Sequence, residues 1–172
     1  SALLLVLRRR HRRAAAPAAP LLLTRCRWWL RQRWLRRWLV ERDLLAIDGV
    51  RYVGGVDLSF VKESETDAAA CLVVVDLHSA DLDVVHADCR RVALTEPYVP
   101  GYLAFREVPF LLDLLDSLRR SAPHLVPDAI LVDGNGILHP NRFGLACHLG
   151  VCAGVPTVGV GKSLHHVDEL SQ

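Results

Sequence analysis

The sequence predicts an α/β domain in which one mixed β-sheet is covered by helices. Three observations carry that expectation. Strand-like apolar runs follow one another at 52–60, 68–77 and 81–94. An amphipathic helical stretch comes next, and after it strand, helix and strand alternate. Strands in succession followed by alternating helices and strands are the pattern of a mixed sheet with helices packed against it.

The first run, "YVGGVDLSF" (52–60), carries one charge, Asp57, in its middle. An ionised carboxylate inside a strand costs several kcal/mol to desolvate unless something compensates it. The second run, "AAACLVVVDL" (68–77), is apolar nearly throughout, so it is expected as a central strand. "DLDVVHADCRRVAL" (81–94) reads as the third strand, after the turn "LHSADLD". Two prolines and a glycine make "TEPYVPG" (95–101) a loop. Over 102–120, Ala104, Val108, Leu111, Leu115 and Leu118 fall on one helical face, and Pro109 marks either a kink or the first turn. "DAILVDGNG" (128–136) is expected as a fourth strand entering a glycine turn. "FGLACHLGVCAG" (143–154) is expected as a short helix, and "PTVGVGK" (156–162) as a fifth strand.

A length of 172 residues suits one domain with an extension. Charge is divided unevenly along it. Residues 1–42 hold twelve of the twenty-one Lys and Arg and a single acid, Glu41, whereas 43–172 carry a net charge of −9. The expected organisation is therefore a basic extension over 1–42, disordered or targeting, and one folded domain over 43–172. The chain starts with Ser and contains no Met, so its natural start is expected to lie upstream. Five cysteines form no CxxC pair, are odd in number and are spaced irregularly, which predicts reduced thiols and a cytoplasmic or nuclear site. The arginine-rich leader leaves a mitochondrial route open. No uncharged run approaches the length that crosses a bilayer, so no membrane partner is expected.

Three acids stand out together: Asp57 in the first strand, Glu107 on the core helix, and Asp133 at the carboxyl end of the fourth strand. Ligand sites in open α/β sheets gather at the carboxyl ends of strands. Clustered carboxylates repel one another, and a hard divalent cation relieves that repulsion. Mg²⁺ favours one or two carboxylates together with waters and phosphate oxygens, which points to phosphodiester chemistry. The bland alternative is that these acids serve as caps, turn residues or ion-pair partners. "GVGKS" (159–163) tempts a nucleotide-loop reading, but Pro156 stands where that motif needs glycine.

Four stretches, "VGGVDLSF", "PYVPGYLAFRE", "LVDGNGILHPNRFGLACHLGV" and "VGVGK", occur in the order and roughly the spacing of the endonuclease V family. From Val53 to Lys162 the chain resembles the animal-like branch of that family. The resemblance implies a ribonuclease-H-like fold and Mg²⁺-dependent nicking, with Mn²⁺ able to substitute, of RNA or DNA containing inosine or deoxyinosine. The expected cut is at the second phosphodiester on the 3′ side of that base. By motif match, Asp57, Glu107 and Asp133 are the metal-binding carboxylates, with Lys162 and His139 beside them. Pro97, Tyr98, Pro100, Gly101 and Leu103 form a substrate loop in which Tyr98 is a wedge, and Gly134 and Gly136 let the backbone approach the base. His124, His148, His165 and His166 match nothing in the family pattern and are expected to be structural or exposed. The family often has Arg where this chain has Asn141. Its members continue beyond the fifth strand, so the C-terminal part of the domain is expected to be missing. A monomer acting on single-stranded or structured nucleic acid is the expected state. The alternatives are a chain that binds inosine without cutting, and another ribonuclease-H-like repair nuclease.

Overall fold

A computed structural model describes residues 18–161 except 44, 63 and 65. Lys162, His165 and His166 therefore lie outside the described residues. The elements run α1 (Ala18–Arg36), β1 (Tyr52–Phe60), β2 (Asp67–Asp76), β3 (Val84–Ala93), α2 (Ala104–Ser121), β4 (Ala129–Asp133), α3 (Leu145–Ala153) and β5 (Thr157–Val160). Single 3₁₀ turns at Ile47–Gly49 and Pro123–Leu125 precede β1 and β4.

The five strands form one sheet in the order β3-β2-β1-β4-β5. Strands β1, β2 and β3 are antiparallel neighbours, as hairpin-length joins allow, whereas β4 and β5 add in parallel after helical crossovers. The apolar β2 is an interior strand as expected, paired with β3 and β1, and β1 beside it has two strands on each side. The two faces of β2 differ. Ala68, Ala70, Leu72 and Val74 are buried on one face, while Ala69, Cys71, Val73 and Val75 on the other are only half-buried. Apolarity along β2 reports two faces of unequal burial, and strand order depends on pairings that hydropathy does not encode.

Helix α2 lays its apolar stripe on the buried face. Val108, Leu111, Leu114, Leu115 and Leu118 join Val56, Leu58, Leu72, Val74, Ile130 and Val132 in one core, to which α3 adds Leu145, Ala146 and Leu149. Pro109 sits inside α2 on its exposed side and forgoes the bond to the carbonyl of Phe105. At the start of β1 the Asp128 carboxylate accepts the backbone N–H groups of Arg51 and Tyr52, both at 2.9 Å, which aligns β1 with β4.

Within the basic stretch, residues 18–36 form α1, which docks with Trp28, Gln32 and Leu35 buried. One expectation needs revision: not all five cysteines are thiols, since Cys71 and Cys89 form a disulfide. They lie directly opposite in the β2–β3 register, a proximity that a separation of 18 residues does not reveal. Cys26, Cys147 and Cys152 are free. Among the described residues no helix is long and apolar enough to cross a membrane.

Candidate active site

Alternation along β1 puts Gly54, Val56 and Leu58 into the core and turns Asp57 to the opposite, open face. Asp57 is thus exposed, which removes most of the desolvation cost its place in the strand implied. The Ser59 hydroxyl, two residues along on the same face, donates to its carboxylate at 2.9 Å. By the same alternation β4 buries Ile130 and Val132 and presents Leu131 and Asp133 to the open face. Asp57 and Asp133 line one shallow cavity of about 480 Å³, floored by apolar side chains such as Val73, Leu131 and Val160.

Glu107 reaches this region from the first turn of α2, and it is buried. Its carboxyl is pushed up to about 7, chiefly by burial and then by the negative charges of Asp57 and Asp133, with Arg106 opposing them. The fold thus brings all three acids within electrostatic reach of one another from three separate elements. Among the described residues no three His, Cys, Asp or Glu side chains are gathered tightly enough to cage an ion as they stand. The Ser59 hydroxyl and the neighbouring Arg106 offset part of the charge. The donor set is all oxygen and hard, which fits Mg²⁺ or Mn²⁺ far better than a soft metal.

The loop before α2 is anchored by one buried side chain. Val99 is inside, while Pro97, Tyr98 and Pro100 are outside, with Tyr98 64% exposed. Gly101 then adopts φ +81°, a left-handed turn that admits glycine cheaply. Leu103 opens α2, and its carbonyl accepts from the backbone N–H groups of Arg106 and Glu107. The loop expected to meet substrate therefore leads directly into the helix that carries Glu107.

Gly134 and Gly136 follow Asp133 in the next turn. A side chain on Gly134 would meet Leu145 at 2.9 Å, so close packing of the turn on α3 requires glycine there. Gly136 lines a second, larger cavity of about 1020 Å³, together with Asn135, Ile137 and Cys147. The two cavities share no lining residue and meet at the turn joining Asp133 to Gly136. His139 belongs to the turn beyond, where its Nδ1 accepts the backbone N–H of Asn141 at 3.1 Å. His124 is exposed and His148 buried.

Two contributors escape a reading of the sequence. Arg106 is buried beside Glu107, with its guanidinium 5.5 Å from the centre of the Phe60 ring. It stands in the "FRE" triplet and could have been noticed there, but burial of an arginine is a tertiary fact. Gln32 of α1 donates to the carbonyl of Phe143 at 2.9 Å and accepts from the Asn141 side chain at 3.0 Å. Asn141, where the family often has arginine, here joins α1 to the turn after β4.

The family model described as endonuclease V matches residues 34–172. The chain belongs to the endonuclease V family. Human endonuclease V is 50% identical over 149 residues, which cover 83% of this chain and 52% of that protein. The mouse protein is 48% identical over 149 residues, covering 44% of its length. The chain spans about half the length of the curated relatives it matches. Among solved structures, the catalytic domain of human endonuclease V superposes with a TM-score of 0.81 at 46% identity, over 91% of this chain and 63% of that one. Endonuclease V from Ciona intestinalis, solved in complex with a 23-mer DNA containing an inosine followed by a ribo-adenosine, gives 0.78 at 36% identity, over 84% of this chain and 60% of that one. The mixed sheet and its covering helices are the ribonuclease-H-like fold that endonuclease V catalytic domains share.

Proposed function

We propose that this endonuclease V family member is a metal-dependent endonuclease that nicks RNA or DNA on the 3′ side of inosine or deoxyinosine. The observation that carries the reading is the convergence of Asp57, Glu107 and Asp133, from β1, α2 and β4, close enough that Asp57 and Asp133 add to burial in raising the Glu107 carboxyl. A fold gains nothing in stability from three mutually repelling acids, so their approach is better explained by a ligand of opposite charge. The inosine-containing DNA held by the Ciona intestinalis relative supports the choice of substrate.

Asp57, Glu107 and Asp133 would hold Mg²⁺, with Mn²⁺ able to replace it. When bound, such an ion supplies positive charge that draws in phosphate oxygens and makes water more acidic. The protein's own residues do the rest. Tyr98, rigid between two prolines and exposed, enters the gap left by a displaced base. A deaminated base that pairs poorly leaves its stack at lower cost, which is one source of selectivity. Gly134 and Gly136 bring backbone donors and acceptors within reach of that base. Lys162 is assigned to neutralising charge at the scissile phosphate, and His139, catalytic by motif match, to a place beside the carboxylates. A monomer suffices for this arrangement.

The test is nicking of an oligonucleotide with one inosine, in Mg²⁺ or Mn²⁺, against Asp57→Asn and Asp133→Asn. Cleavage one nucleotide beyond the inosine, lost in both variants and in a chelator, is the expected result. Cleavage that ignores inosine, or that survives both substitutions, overturns the reading. A second reading is supported by the absence of a ready cage among the described residues: the chain binds inosine-containing strands without cutting them. Retention of an inosine oligonucleotide without any nick in either metal is its signature.

A further inference from the structure

Helix α1 presents two very different sides. Trp28, Gln32 and Leu35 are spaced at i, i+4 and i+7 and are buried. The Trp28 ring stacks on Phe105 with centroids 5.2 Å apart and planes inclined by 9°. Gln32 hydrogen-bonds the loops on either side, donating to Gly101 at 3.4 Å and to Phe143 at 2.9 Å. The orientation of the helix is thereby set. The outward side is left with Trp29 at 46% and Trp34 at 53% exposure, amid arginines and without a single acid along the helix.

An outward face that is merely solvated does not need tryptophan, and burial of large aromatic surface is the stronger expectation for it. The arrangement of these rings is informative. The Arg33 guanidinium lies 4.9 Å above the Trp29 ring, and Trp34 meets Trp38 edge-on at 6.3 Å. Guanidinium groups alternating with exposed rings are the components that hold single-stranded nucleic acid, phosphates on the former and unpaired bases on the latter. Charge complementarity favours this occupant. Residues 18–42 carry seven arginines and one acid, whereas 43–172 carry a net charge of −9 and would repel a polyanion elsewhere.

We propose that the outward face of α1 is a contact surface for single-stranded nucleic acid flanking the cut site, with Arg33 and Arg37 on phosphates and Trp29 and Trp34 stacked on unpaired bases. The proposal rests on the nuclease reading only for the identity of the strand that meets this surface. The surface contributes affinity without inosine selectivity, since every base offers a ring face to stack on.

The test measures binding of a single-stranded 23-mer, with and without one inosine, by the whole chain and by Trp29→Ala/Trp34→Ala and Arg33→Gln/Arg37→Gln variants. Both variants are expected to bind both strands roughly tenfold more weakly, leaving the preference between strands unchanged. The arginine variant should also flatten the salt dependence by about two units of slope. Quenching of the wild-type tryptophan emission by the inosine-free strand provides a readout that needs no variant. Unchanged affinity in both variants, or no quenching, overturns the inference. So does tighter binding to anionic phospholipid vesicles than to the strands, which would make α1 a membrane-surface helix. If the wild type neither cuts nor prefers inosine, the nuclease reading fails while the α1 result still stands or falls on its own.

Discussion

Glu107 shows what burial beside other acids does to a single carboxyl. Its carboxyl is held near 7 by burial and by two acidic neighbours, so the folded state favours the protonated form. With the folded value raised above the unfolded one, its contribution to stability is present at low pH and fades as pH rises through about 7. Glu107→Gln should therefore raise the melting temperature of the metal-free protein at pH 8 while reducing nicking at least a hundredfold, read by calorimetry and gel assay. His148 works in the opposite direction. It is buried between Phe105 and Phe143, its Nδ1 has no hydrogen-bond partner, and desolvation lowers it to about 4. The unfolded chain takes up that proton near the ordinary histidine value, so stability should be level above about 6.5 and fall as pH drops towards 4. Urea titrations from pH 7.5 to 4.5 should show the fall, reduced in His148→Phe. Equal slopes in both proteins would remove His148 from the account.

At the scale of elements, the β2–β3 hairpin is both a ladder and a crosslink. Cys71 pairs with Asp57 on one side and with Cys89 on the other, so the disulfide stands one strand away from a proposed metal ligand. Closing a loop of this size contributes on the order of 3 kcal/mol by restricting the unfolded chain. Reducing agent should therefore lower the denaturation midpoint of the wild type by an amount matching Cys89→Ser, and should leave the Cys89→Ser midpoint unchanged. Helix α2 carries the other element-scale expectation. Leu115 is wholly buried at the centre of the core, and Leu115→Ala should cost about 2–5 kcal/mol in a chemical melt.

For the whole molecule the dominant feature is asymmetry between the two sheet faces. Helices α2 and α3 cover one, while Leu131, Val158 and Val160 on β4 and β5 remain exposed. Exposed apolar side chains along an edge strand invite pairing with another copy. Dye binding by the wild type should accordingly be strong, and Val158→Lys/Val160→Lys should weaken it without loss of secondary structure. The same layout places the proposed chemistry: alternation on β1 and β4 that fills the core with Val56 and Val132 necessarily turns Asp57 and Asp133 to the open side.

Periodicity read along the chain located β1 over its full extent and α2, β4, α3 and β5 to within a few residues, because burial of alternate or every third-to-fourth side chain leaves a local record. The motif residues Asp57, Glu107 and Asp133 were legible for the same reason that the family is: their neighbours are constrained by tight local turns and strands. Pairing left no such record. That β1 pairs with β4, that Cys71 faces Cys89, and that Gln32 reaches across to Phe143 follow from contacts between segments apart in sequence. Local chemistry by itself determined which residues carry the reactive groups. Only the tertiary structure decided which of them meet, because register and docking are settled by the whole core packing at once.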